Sequence, residues 1–255
     1  MRAASSSLLP PTLWIIKTGD TLPALRATHG DFEDWIADGL AQASSANPME
    51  VKTLDARTNT QLPAPEQIAG VVITGSPAMV TDREPWSERT AAWLADVVGA
   101  QVPVLGICYG HQLLAHALGG EVAHHPAGLE MGTVTVQRLV GAEGDALLGH
   151  LPASFDAQVV HEQSVRRLPP GAVPLAANAH EAHHAFRVGP CAWGVQFHPE
   201  FSDAVMRDYV ACFAPSLQRS GVDADALRAQ VRATPESVRL LARFASLVAK
   251  AAIDK

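Results

Sequence analysis

The stretch Val102-Pro-Val-Leu-Gly-Ile-Cys-Tyr-Gly-His-Gln-Leu-Leu-Ala-His-Ala-Leu-Gly-Gly120 decides the fold. Val102–Ile107 is continuously apolar, the pattern of a strand covered on both faces. It runs straight into a helical pattern, Gly110–Leu118, in which Leu113, Leu114, Ala117 and Leu118 share one face. Gly119-Gly120 is the stop signal for that helix. A buried strand followed at once by a helix is half of a βαβ unit and predicts a parallel sheet with helices packed on it. Cys108 sits at the junction, with Gly106 and Gly110 two residues to either side. Glycines so placed allow a sharp, strained turn that projects a nucleophile from the C-terminal end of a sheet, as in the G-x-S-x-G elbow. Unpaired N–H groups at the helix start carry partial positive charge, which favours a thiolate and can also hold an oxyanion.

The same alternation extends outward. Strands are predicted at Leu13–Lys17, Val51–Leu54 and Gly70–Thr74, with helices at Asp31–Ala43 and Trp86–Val98. After Gly120 the texture changes to short strands separated by Pro and Gly turns: Thr133–Gln137, Ala157–His161, Val173–Ala177, His184–Val188 and Trp193–Phe197. Ser202–Lys255 reads as helical, with Asp203 and Asp223 as N-caps and Pro235 at a first helical position. The expected fold is α/β: a three-layer αβα arrangement, a mostly parallel central sheet with an antiparallel extension, and C-terminal helices. Residues 203–255 are expected to form a helical extension packed on the same domain as 12–202.

Composition narrows the function classes. The 255 residues are 47% hydrophobic and 18% charged, which excludes a disordered, collagenous or coiled-coil chain. A formal net charge of −7 argues against a nucleic-acid partner, whose footprint is a basic patch. Leu8–Ile16 is interrupted by Pro10 and Pro11 and is too short to span a bilayer, so no membrane partner is expected and Met1–Pro11 reads as a loose tail. Three cysteines, Cys108, Cys191 and Cys212, have no C-x-x-C spacing; this fits a reducing cytoplasm and neither a disulfide framework nor a zinc site. Cys191 and Cys212 read as core packing.

A nucleophilic thiol needs a base, and the base needs an orienting acceptor. Gln196-Phe-His-Pro-Glu200 offers both: on an extended strand Gln196, His198 and Glu200 point to one side, and Pro199 biases His198 toward the β region. His180-Glu-Ala-His-His184 fits H-E-x-x-H formally, but it lies between two short strands with no room for the helix that a zinc protease requires, so no metal is expected.

Together, Gly106-Ile-Cys-Tyr-Gly-His-Gln112 and Gln196-Phe-His-Pro-Glu200, whose Cys108 and His198 are about 90 residues apart, resemble the two signature blocks of triad-type (class I) glutamine amidotransferases. The likeness covers about residues 12–202 and is closest to the glutaminase domain of GMP synthase and its free-standing relatives. The resemblance implies Cys108 as nucleophile, His198 as general base and acid, and Glu200 as its orienting partner. It implies an oxyanion hole from Tyr109 and the Gly75-Ser76 loop, where Ser76 replaces the family's usual glycine; the donor is Gly75 or Ser76. Gln112 matches a position that contacts the glutamine side chain, and Val160-His161 begins a stretch like the loop that holds the substrate's amino-acid end. No cofactor is implied. The implied substrate is glutamine or a γ-glutamyl small molecule. The 55 or so residues after Glu200 contain no glycine-rich phosphate loop, so the implied ammonia acceptor is a separate synthetase. The alternatives are a free-standing γ-glutamyl peptidase or hydrolase and a non-catalytic cysteine sensor; an oriented base at position 198 argues against the sensor.

Overall fold

The structure is a computed structural model that describes residues 12–43 and 49–253. The predicted tail, Met1–Pro11, lies outside the described residues. The chain opens with β1 (Thr12–Lys17), α1 (Pro23–His29), α2 (Phe32–Ala41) and β2 (Glu50–Asp55). It continues through β3 (Gly70–Ile73), α3 (Pro85–Gly99), β4 (Val104–Ile107) and α4 (Tyr109–Ala117). Then come β5 (Glu121–His124), β6 (Glu130–Arg138), β7 (Ser154–His161) and β8 (Gln163–Arg167). β9 (Val173–Ala177), β10 (Ala185–Val188) and β11 (Ala192–Val195) complete the strands. The helices α5 (Asp203–Arg219), α6 (Ala224–Gln230) and α7 (Pro235–Ile253) follow.

Nine strands form one sheet in the order β2-β1-β3-β4-β11-β10-β9-β6-β7. The pairs β2-β1, β1-β3, β3-β4 and β4-β11 are parallel; from β11 to β7 every pair is antiparallel. The sheet is therefore mixed as expected, with α3 and α4 against one face and α2 and α7 against the other. Leu240, Leu241, Phe244 and Val248 of α7 have no exposed surface and join Leu13, Ile15, Leu105 and Ile107 in one core. Each such side chain contributes about 1.5–3 kcal/mol on burial, so α7 is an integral layer of the sandwich.

Parallel pairing places the C-terminal ends of β1, β3, β4 and β11 along one edge, with Ile73 opposite Gly106 and Ile107 opposite Val195. Thr18, Gly75, Cys108 and His198 all follow these ends, which is where open α/β sheets hold their ligands.

Three local expectations are corrected. The strand predicted through Phe197 ends at Val195, because Gln196–Glu200 turns away from the sheet. Ser202, not Asp203, caps α5: its side chain accepts the Val205 N–H at 3.1 Å. Cys212 is exposed on α5 rather than packed in the core, while Cys191 is half-buried. Three elements were not anticipated. α1 buries only Leu25, so it has no apolar face to read. β5 and β8 form a two-stranded sheet of their own, and their polar sequences become strands only through that pairing.

Candidate active site

Cys108 has φ 50° and ψ −100°, a left-handed backbone uncommon for a residue with a side chain. Strain of this kind costs on the order of 1–3 kcal/mol and persists only where the surroundings over-determine it. Here they do. The Cys108 N–H donates to the Val195 carbonyl at 2.9 Å, tying the turn to β11. A Cβ on Gly106 would lie 2.4 Å from the Gly110 oxygen, and one on Gly110 would lie 2.5 Å from the Ile73 oxygen. Both glycines thus let β4, α4 and β3 converge behind the thiol. The Tyr109 hydroxyl shares a 2.6 Å hydrogen bond with Ser87, and its ring stacks on Trp86, which anchors the first residue of α4 to α3. The thiol points toward the Val160 carbonyl, 3.7 Å away.

His198 enters the same cleft from the turn after β11. Its backbone N–H donates to the Gln158 carbonyl at 2.8 Å, and its ring packs on Phe201 at 4.1 Å and beside Phe32 at 6.2 Å, the two phenyl rings being 6.2 Å apart. Nδ1 meets Glu200 Oε1 at 2.7 Å, although the two residues share a turn and not the extended strand expected for them. Since a carboxylate accepts, Nδ1 carries a hydrogen and Nε2 is the nitrogen left over; Nε2 has no conventional partner. Burial alone would lower the pKa of His198, but the Glu200 carboxylate and the Cys108 sulfur outweigh it and raise the value to about 10. A protonated imidazole next to a sulfur and held by a carboxylate is an acid–base pair poised for thiol chemistry.

The Gly75-Ser76 loop is locked by short bonds. Gly75 O accepts from the Thr18 and Thr74 hydroxyls at 3.1 and 2.9 Å, and the Ser76 hydroxyl donates to Thr18 O at 2.9 Å. Among the described residues, the N–H groups of Gly75, Ser76 and Tyr109 have no hydrogen-bond acceptor. Ser76 and Tyr109 line the cleft, and Gly75 does not. Gln112 lines it too; its amide nitrogen donates to Gln163 O at 2.9 Å and Gln196 Oε1 at 3.0 Å, which leaves its oxygen to face a ligand.

Val160 and His161 also line the cleft, but the His161 ring is committed elsewhere. Nδ1 meets Gln163 O at 3.0 Å and Nε2 meets Glu130 Oε2 at 2.9 Å. Glu130 also accepts from Asn178 at 2.7 Å and faces His184 at 3.4 Å. Burial pushes its carboxyl pKa up, yet these partners hold it well below the usual range. Sequence reasoning missed Glu130, Phe32 and Tyr209, because nothing local marks them; they reach the site only through tertiary packing. The His180–His184 segment is a turn between β9 and β10. Among the described residues, no group of three or more His, Cys, Asp or Glu is arranged to hold a metal ion.

The profile of the family described as "Glutamine amidotransferase class-I" matches residues 29–211. The chain belongs to that family. The resemblance carried by the two signature blocks is therefore shown, and with it an enzyme of the glutaminase type. A glutamine-hydrolyzing GMP synthase of Thermomicrobium roseum is 41% identical over 132 residues, covering 51% of this chain and 23% of that protein. The chain matches only about a quarter of the length of such GMP synthases. A glutamine amidotransferase structure from Thermotoga maritima superposes with a TM-score of 0.72 at 19% identity, over 95% of this chain and all of that one (100%). Another, from Methylobacillus flagellatus, gives 0.66 at 26% identity, over 97% of this chain and 95% of that one. Among the described residues, no helix of this amidotransferase is long and apolar enough to cross a membrane.

Proposed function

We propose that the protein hydrolyses the side-chain amide of glutamine, or of a γ-glutamyl compound, through a thioester on Cys108. The observation that carries this reading is the unpartnered Nε2 of His198, raised in pKa by the Cys108 sulfur on one hand and by Glu200 on the other. A sensor thiol has no use for an oriented imidazole, which disfavours the non-catalytic reading.

In the proposed sequence the Cys108 thiolate attacks the γ-carboxamide carbon, and negative charge develops on the amide oxygen. The N–H groups of Tyr109 and Ser76 receive that charge; both residues line the cleft and neither N–H is otherwise used, which favours Ser76 over Gly75 as the second donor. One such donor is worth about 3 kcal/mol of barrier. The Gln112 oxygen accepts from the substrate's amide hydrogens. His198 protonates the departing nitrogen, then takes a proton from water as it attacks the thioester, releasing glutamate. Val160 and His161 shape the wall that receives the amino-acid end, His161 through its bonds to Glu130 and Gln163 rather than by direct contact of its ring.

The GMP synthase relatives support a separate synthetase as ammonia acceptor. The test is glutamate and ammonia release from L-glutamine, together with labelling by a glutamine-analogue chloroketone. Labelling confined to Cys108 and abolished in Cys108→Ala is expected. The absence of both turnover and labelling would overturn the proposal.

A further inference from the structure

We infer that the amines released by this site carry an apolar substituent: its preferred substrates are γ-glutamyl amides whose nitrogen bears an uncharged alkyl or aryl group. This rests on the hydrolase reading above. The cleft lining is uneven. Gln112, Glu162 and Gln163 come from α4 and the β7–β8 junction, beside the apolar Val160. Leu22, Phe32, Tyr209 and Phe213 stand on the side of His198. That second wall is one cluster of rings. His198, Phe32 and Phe201 form a triangle, Phe201 lies 5.0 Å from Tyr209, and Tyr209 lies 6.5 Å from Phe213 one turn along α5. Leu22 and Phe213 at its outer end are only partly buried, and they pack against the same apolar cluster.

The chemistry assigns this wall to the leaving group. The imidazole that protonates the departing nitrogen must face it, so any substituent on that nitrogen lies along the surface that begins at His198. Ammonia leaves that surface wet, whereas a hydrocarbon substituent removes it from water. Charge narrows the class further. Among the described residues no Lys or Arg lines the cleft, whereas Glu162 does, and Asp20 does with its carboxylate already paired to Lys17 and Arg57. A carboxylate on the amine, as in a γ-glutamyl amino acid, would find Glu162 and no lining cation, since Lys17 and Arg57 are already paired with Asp20.

The reaction balances without a further reagent. The Cys108 sulfur bonds to the carbonyl carbon of the γ-carboxamide, the bond from that carbon to nitrogen breaks, and a proton from His198 leaves with the amine. Water then adds to the thioester, its proton returns to His198, and glutamate departs as the thiolate is restored. The sum is amide plus water giving glutamate plus amine.

The experiment compares γ-L-glutamyl benzylamide, L-glutamine and γ-L-glutamylglycine on the full chain. Affinity is read by calorimetry on Cys108→Ala, so that turnover is not required, and kcat/KM by glutamate release on the parent enzyme. The expected order is benzylamide at least tenfold tighter than glutamine, a factor equal to about 1.4 kcal/mol, with γ-glutamylglycine no better than glutamine. Adding Phe213→Ser should shrink the benzylamide-to-glutamine ratio at least fivefold, and Phe213→Leu should keep most of it. Glutamine binding as well as the benzylamide, or a ratio unmoved by Phe213→Ser, overturns the inference while leaving glutamine hydrolysis standing; the apolar wall would then belong to a protein partner. Binding of none of the three, with no hydrolysis of any, overturns the hydrolase reading as well.

Discussion

Cys108 and His198 occupy one cleft but are held there in different ways. The cysteine is fixed mainly by its chain neighbours: Gly106 and Gly110 permit the turn, β4 leads into it and α4 leads out. The histidine is fixed by groups from elsewhere in the chain: the Gln158 carbonyl, the Phe32 ring and, from its own turn, Phe201 and Glu200. The first is a rigid strained element with no slack. The second is a cage of several partners, each replaceable at a partial cost. Substitutions at the elbow should therefore act nearly all-or-none, and substitutions around the histidine should act by degrees.

The largest expected effect is at the sulfur. Cys108→Ala should lower glutamine hydrolysis by about 10⁴-fold or more while leaving the thermal unfolding transition in place, since the methyl group tolerates the same backbone no worse than cysteine. Activity within tenfold of the parent would break the comparison at its root. Glu200→Gln comes next: with the carboxylate gone, the imidazole loses its orienting acceptor and kcat should fall by about 10²-fold, with KM little changed. Gly106→Ala tests the rigid side directly. Its Cβ meets backbone atoms and cannot be relieved by a rotamer change, so a loss of about 2–3 kcal/mol in urea unfolding is expected; an unchanged midpoint would show that the elbow has slack after all.

A smaller effect is expected at Glu130, which holds His161 and thereby the carbonyl that fixes Gln112. Glu130→Gln should raise KM several-fold, up to about tenfold, with a lesser change in kcat, because it loosens a binding wall without touching the reacting atoms. The smallest is a pH slope. The folded pKa of His198, about 10, lies above the ordinary imidazole value near 6.5, so its contribution to stability is complete below about 6.5 and is lost as pH rises through about 10. The melting temperature should fall between pH 7 and 10, and less steeply in Glu200→Gln. A slope identical in that variant would remove the carboxylate from the account.

The same contrast explains how much could be read in the linear chain. The parallel strands and α4 were legible because apolar runs and helical periodicity are local signals, and the glycines around Cys108 advertise a tight turn. His198 and Glu200 were legible by residue type and spacing, but not their geometry: the strand that was expected to align them ends at Val195, and a turn brings Nδ1 to the carboxylate instead. β5 and β8 escaped notice because their polar sequences have no period of their own.

What the amino-acid order determined by itself was the α/β class, the elbow and the identity of the thiol, imidazole and carboxylate, since each depends on interactions within a few residues. Tertiary structure alone decided which nitrogen of His198 is left over, that the His161 ring turns to Glu130, and that rings from α2 and α5 line the cleft that holds His198. Those outcomes depend on contacts between distant segments, where packing and the satisfaction of buried polar groups, not local propensity, set the energy.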